Sequence, residues 1–247
     1  MKIAVLLPYK ENYSSVDTGA VSIFVNDVNN VSEFKKNITI FGSTTNKALS
    51  KNYKNLSFNK KLFQSSSKIY LKEFLKKIKS EKIDILEIHN RPHYLKYLRE
   101  LKATKKIIFF HNNPLEMQGS TYVKERKDLL KNSDALVFNS KWTKNRYLNK
   151  LNIKEHEKIH IIPQSTSKTV VDFSKKKKII SFVGKLNSAK GFDIFGESIL
   201  NILNKYKDWS GIVIGSESRQ KLFYEHPKLK IAGFKNNKYV LNKLKGV

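Results

Sequence analysis

The sequence predicts an α/β protein built on doubly wound parallel sheets, and three observations carry that expectation. Short apolar runs rich in Ile, Val and Phe recur along the 247 residues, segments of helical period lie between them, and a polar stretch after Pro163 divides the pattern into two series. Apolar runs of four to eight residues without polar alternation fit strands covered on both faces, as in a parallel sheet, and their alternation with helical segments specifies the class.

The first series opens with "KIAVLLP" (Lys2–Pro8) and continues with "NITIFGS", "IDILEIH", "KIIFFHN", "ALVFNS" and "IHIIPQS". Between the second and third of these runs, "YLKEFLKKIKSEK" (Tyr70–Lys82) puts Leu71, Phe74, Leu75 and Ile78 on one stripe of a helix. From Gln164 to Lys178 the chain turns polar and ends in four lysines, which reads as an interdomain linker and sets domains at residues 1–168 and 169–247. The second series contains "IISFVGK", the helical "GFDIFGESILNILNKYK", the strands "GIVIGS" and "LKIAGF", and a final helix around "NKYVLNKLKG". In its first helix Ile194, Phe195, Ile199, Ile202 and Leu203 are expected to face the sheet. Three strands and two helices make half of an ordinary nucleotide-binding domain, so this second domain is expected to be incomplete.

Composition narrows the function classes. With no cysteine, disulfides, thiolate metal sites and a cysteine nucleophile are excluded, and a reducing, cytoplasmic setting is expected. No run of about eighteen apolar residues occurs, and the apolar N-terminus turns polar after Pro8 without a cleavage signal. The formal charge of +27 raises a polyanion reading, but only five of the 48 basic residues are Arg, the side chain that forked phosphate and base recognition favours. The lysines are spread along the whole chain, so no specific nucleic-acid partner is expected, whereas peripheral attraction to an anionic membrane surface needs only a diffuse positive field.

The candidate site residues follow from where the strands end. In open α/β sheets ligands bind beyond the carboxyl ends of the strands, where helix N-termini present free N–H groups. Gly184 ends "SFVG", and the loop to "GFDIF" carries Lys185 and Lys190, two cations before a helix N-terminus, which suits a diphosphate; in a lysine-rich chain two solvated lysines are the alternative. His111, closing "KIIFF", is placed to hydrogen-bond a sugar hydroxyl or a phosphate, or to serve as a structural histidine. His89 holds the analogous place one strand earlier and His93 follows four residues on, but Pro92 spoils the helical face a zinc pair needs, and no metal is expected. Gly19 either lets backbone approach a ligand closely or makes a plain turn before a helix. Ser140 reads as a helix N-cap, and "GSES" (Gly215–Ser218) as a turn or a nucleotide contact. Neither a P-loop nor a dinucleotide glycine pattern is present, and no cofactor is expected.

These stretches resemble family 4 glycosyltransferases. "FVGKLNSAKGFDIF" is similar to that family's Gly-Arg-Leu-X-X-X-Lys-Gly loop, "DTGAVSIFVNDV" to its N-terminal glycine loop and first helix, and "KIIFFHNNP" to the strand ending in its active-site histidine. "IDILEIHNRPHYLKYL", "SDALVFNSKWTKNRY" and "IHIIPQSTS" resemble further units in the family's order. The resemblance implies two Rossmann-like domains of a GT-B architecture, the second incomplete, and retaining, metal-independent transfer of a hexose from a UDP- or GDP-sugar to an envelope glycan or lipid acceptor. It makes Lys190 the donor-phosphate lysine, puts Lys185 where the family usually has arginine, and gives His111 the catalytic place, with Gly19 and Gly184 lining the donor. The family's glutamate pair has no counterpart here, since Glu217 and Glu225 come too early in the chain. A non-catalytic binding or scaffold protein with a vestigial donor half is the alternative.

Overall fold

Residues that are apolar on both faces of a strand assemble the central sheet of the computed structural model, which describes all residues except 17, 45–46, 58–64, 103, 166–169, 218–219 and 247. The chain divides into two compact units, Met1–Ser167 and Lys168–Val247.

In the first unit the strands are β1 (Ile3–Leu6), β2 (Ile38–Gly42), β3 (Tyr53–Asn55), β4 (Ile85–His89), β5 (Lys105–Phe110), β6 (Ala135–Phe138) and β7 (Ile159–Ile161). They form one parallel sheet in the order β3-β2-β1-β4-β5-β6-β7. Four helices connect them: α1 (Ala20–Val31), α2 (Ser66–Ile78), α3 (Val123–Asn132) and α4 (Lys141–Leu148). The chain leaves β1 for β2 on one side and later returns to add β4 on the other. The carboxyl ends of β1 and β4 therefore flank the topological switch point at which ligands bind in such sheets.

Strand side chains alternate with period two, and each face meets different helices. Ile3, Val5, Leu7 and Ile40 pack with Val21 and Val25 of α1, four residues apart on one helical face. On the opposite face Leu6, Leu86 and Ile88 meet Leu71, Phe74 and Ile78 of α2, while Ile108, Phe110 and Phe138 pack with Leu129 and Tyr147. Each such side chain, taken fully out of water, contributes about 1.5–3 kcal/mol. The expected stripe on α2 is present, with Leu75 only partly buried at its edge. Polar anchors then fix the ends: Tyr70 of α2 donates its hydroxyl to the Leu7 carbonyl at 2.9 Å, and buried Arg126 donates to the carbonyls of Ser120, Thr121 and Asn149. Ser140 caps α4 as expected, its Oγ accepting the Thr143 amide at 3.1 Å.

The second unit holds β8 (Ile179–Val183), β9 (Ser210–Ile214) and β10 (Leu229–Ile231), parallel in the order β10-β9-β8, with α5 (Phe192–Lys205) and α6 (Asn237–Leu244). Of the expected linker, residues 166–169 lie outside the described residues; further on, Phe173–Lys175 forms a 3-10 turn capped by Asp172. One expectation for α5 is corrected. Its buried stripe is Phe192, Gly196, Ile199 and Leu203, and Ile194 is 69% exposed. At about 100° per residue Ile194 lies some 200° from Phe192, on the far side of the helix from the sheet.

Candidate functional site

Two separate features occupy the carboxyl edge of the first unit's sheet. The first is a cleft of about 380 Å³, with Tyr9 and Lys10 following β1, Asn90 and Arg91 following β4, and Asn112 and Asn113 following β5. Asn90 holds a left-handed backbone (φ 51°), which Asn tolerates better than most residues and which turns the chain sharply at the strand end. Arg91 donates to the Asn90 carbonyl at 2.7 Å, so the guanidinium is tied to that turn. His93 also lines the cleft, and burial, reinforced by the charge of Arg91, lowers its pKa to about 4. It is a neutral imidazole near pH 7, with Nε2 3.2 Å from Ser67 Oγ.

The second feature is a histidine niche, and His111 belongs to it rather than to the lining of the cleft. His89 and His111 are two residues out of step on adjacent parallel strands, since His89 pairs with Phe109. Both rings consequently project from the α1 face of the sheet. His89 Nδ1 lies 2.9 Å from His111 Nε2, with the two rings edge to edge and their planes only 15° apart. Phe24 of α1 meets His111 edge-on at 5.1 Å, and Phe109 stacks on His89 at 4.6 Å. The backbone around His111 is held as well. Its amide donates to Asn90 Oδ1 at 2.8 Å, and its carbonyl accepts from Asn139 Nδ2 at 2.9 Å. The other ring nitrogen, Nδ1, lies 2.6 Å from Gln164 Nε2. Burial, with repulsion from His89 as the smaller cause, lowers the His111 pKa to about 3, so this ring too is neutral at pH 7.

Gly19 is the N-cap of α1 and has no side chain to cap it. Glu11, from the loop after β1, supplies the cap instead: its Oε1 accepts the Ser22 amide at 3.0 Å. That carboxylate stands where a ligand's anionic group would meet the helix N-terminus.

In the second unit glycines directly follow β8 and β9, and Gly233 stands two residues past β10. Gly184 follows β8, and the Gly215 backbone comes so close that a Cβ there would stand 1.7 Å from the Gly184 carbonyl oxygen. Gly215 in turn donates its amide to the Gly233 carbonyl at 2.9 Å. The loop after β8 carries exposed Lys185 and, in a 3-10 turn over Ser188–Lys190, exposed Lys190. Neither lysine makes an ion pair among the described residues. Gly191 then takes a left-handed turn (φ 72°) into α5, whose N-terminus no side chain caps. The loop is braced by residues that follow β9, because Asn187 donates to Glu217 at 3.0 Å and Ser188 exchanges hydrogen bonds with Gln220. Glu217 of "GSES" thus supports the loop, and Ser218 lies outside the described residues. Asp193 adds one negative charge to the first turn of α5.

Glu11, Gln164 and the partnership of His89 with His111 went unread in the sequence. The signal for the last was available, as two histidines closing consecutive strands of a parallel sheet must be neighbours once the register is known. Among the described residues no three or more His, Asp or Glu side chains are grouped to hold a metal ion, and no helix is long and apolar enough to cross a membrane.

A parallel doubly wound sheet with its ligand edge at the switch point, followed by a second parallel sheet with a glycine-lysine loop, is the architecture of GT-B proteins. Three solved structures agree. HepE from Anabaena, crystallised with UDP and glucose, is similar with a TM-score of 0.63 at 13% identity, over 95% of this chain and 70% of its own. A glycosyltransferase from Rickettsia africae gives 0.62 at 17% identity, over 99% and 70%. A UDP-N-acetylglucosamine 2-epimerase from Rickettsia bellii gives 0.58 at 12%, over 100% and 72%, so the fold by itself does not separate transfer from epimerisation. The family model does. That of Glycosyltransferase Family 4 matches residues 21–166, and the chain belongs to this family. No curated protein matches the sequence.

Proposed function

We propose that this glycosyltransferase moves a hexose from a UDP- or GDP-sugar to a cell-envelope glycan or lipid acceptor, in lipopolysaccharide or surface-polysaccharide synthesis, with retention at the anomeric carbon and without a metal ion. The observation that carries the reading is the family match across residues 21–166, which includes the strand end bearing His111. The capture of UDP and glucose by HepE supports a nucleotide-sugar donor.

In this reading residues 1–168 form the acceptor side, and the polar cleft beside Lys10 and Arg91 suits a hydroxyl-rich acceptor. Residues 169–247 form the donor side. Lys185, Lys190 and the amides opening α5 neutralise the leaving diphosphate, and stabilising charge that develops in the transition state is the largest lever such a site has. Gly184 leaves room for backbone to approach the donor, and His111 contacts the transferred sugar. For Gly19 to serve a ligand, the Glu11 carboxylate has to swing away from the helix N-terminus. The positive surface suits work at the cytoplasmic face of an anionic membrane.

The test is transfer from labelled UDP- and GDP-hexoses to lipid extracts, with the anomeric configuration of the product read by NMR. The expected result is a product of retained configuration that Lys190→Ala abolishes while the fold persists. Unchanged turnover in that variant would remove Lys190 from the donor site.

A further inference from the structure

Each ring nitrogen of His111 has one partner, and the chain of contacts has a direction. It begins at Glu87 on β4, whose carboxylate oxygen lies 3.6 Å from His89 Nε2. That separation is too long for a direct hydrogen bond, yet the field of the carboxylate acts on a ring that is 1% exposed. A bare Nε2 lone pair would face the anion from a buried position with no hydrogen-bond partner, so a single ring proton on His89 sits on Nε2. Its Nδ1 is then an acceptor, and the 2.9 Å contact with His111 requires the His111 proton to sit on Nε2. By elimination His111 Nδ1 is the bare nitrogen, and Gln164 meets it through its amide N–H at 2.6 Å.

We propose that Glu87 and His89 are positioning residues that lock His111 in the tautomer with a bare Nδ1, so that the niche accepts a hydrogen bond from a ligand hydroxyl in the place the Gln164 amide now fills. Such a nitrogen welcomes an O–H donor and repels a phosphate oxygen, which selects the sugar rather than the diphosphate as the partner of His111. The low pKa of His111 agrees with a ring that stays neutral and keeps this polarity. The packing serves the same end. Phe109 and Phe24 hold the two rings from outside the hydrogen-bonded chain, so rotation of either imidazole would cost aromatic contacts.

The proposal rests on His111 touching the sugar, but its test does not need transfer. Long-range ¹H–¹⁵N correlation spectra of the ¹⁵N-labelled chain report which imidazole nitrogen carries the proton. The His111 signals are assigned by their loss in His111→Gln. The expected spectrum shows His111 protonated on Nε2 with Nδ1 in the bare range. His89→Asn, whose Oδ1 still accepts, keeps that pattern, whereas His89→Phe and Glu87→Ala move His111 to an average of both tautomers. Glu87 is partly exposed and its replacement leaves the two imidazole rings in place, so it serves if His89→Phe does not fold. A wild-type His111 protonated on Nδ1, or a pattern that neither His89→Phe nor Glu87→Ala alters, overturns the proposal. Transfer that fails beside the expected tautomer would instead count against the reading of the protein as an active hexosyltransferase.

Discussion

The carboxylate of Glu11 lies directly over Gly19: a Cβ on Gly19 would stand 2.0 Å from Glu11 Oε1, the same oxygen that accepts the Ser22 amide. A side chain eight residues upstream thus does the work that an N-cap side chain usually does, and only glycine leaves it room. The glycine serves a close approach here whether or not a ligand ever replaces Glu11.

It follows that Gly19→Ala displaces Glu11 and uncaps α1, lowering stability by about 1–2 kcal/mol. Glu11→Ala should cost about 1 kcal/mol, and the double variant less than the sum, because both remove the same contact. Urea denaturation of the three variants measures this, and strictly additive losses would mean that the two residues act independently.

Two half-buried histidines make stability depend on pH. Both His111, at about 3, and His93, at about 4, titrate below the ordinary value of 6.5 in the folded state, burial being the main cause in each. Between those values the unfolded chain binds more protons. Their contribution is therefore complete above about pH 6.5 and is lost as pH falls toward 4 and 3, with a slope of at most about 1.4 kcal/mol per pH unit for each group. Denaturation midpoints should fall between about pH 7 and pH 5, and His111→Gln should flatten the decline. A midpoint independent of pH over that window would show that neither ring resists protonation.

Two glycines in the second unit share a backbone that L side chains rarely adopt and differ in crowding. Gly215→Ala, at φ 152°, also drives a Cβ into the Gly184 carbonyl, whereas a Cβ on Gly233, at φ 68°, meets nothing within 4 Å. Gly215→Ala should cost about 3 kcal/mol or more and Gly233→Ala about 1 kcal/mol. Thermal denaturation of the pair checks the order, and equal losses would place the strain in the dihedral alone.

Much of this fold was legible because most strands are covered on both faces and so appear as unbroken apolar runs. β3 escaped notice for the opposite reason: Tyr53–Asn55 is a three-residue edge strand with two exposed positions and no apolar run to mark it. Ile194 was misread because an apolar residue two positions from Phe192 satisfies composition but not the helical angle. The candidate loops were legible as strand ends, since the parallel class fixes where ligands bind. Which side chains meet there was not. The contact of His111 with Gln164 spans 53 residues, and that of Glu11 with Ser22 spans 11. Register, rather than motif, brings these groups together.

Lys185 offers a gain of function. It stands exposed beside Gly184, and the family resemblance expects arginine there. Lys185→Arg restores a planar fork that binds phosphate oxygens in pairs, so donor affinity should rise several-fold with stability unchanged. Titration of UDP against both forms decides it, and weaker binding in the arginine variant would mean that Lys185 does not face the diphosphate.

The account stands most directly on whether the glycine-lysine loop of the second unit binds a nucleoside diphosphate. Calorimetric titration of the 247-residue chain with UDP, GDP and their hexose conjugates at near-physiological salt measures this. Saturable binding of at least one of them, weakened about tenfold or more by Lys190→Ala in a folded variant, is the predicted result. No binding of any of them, or binding that Lys190→Ala leaves unchanged, would contradict it.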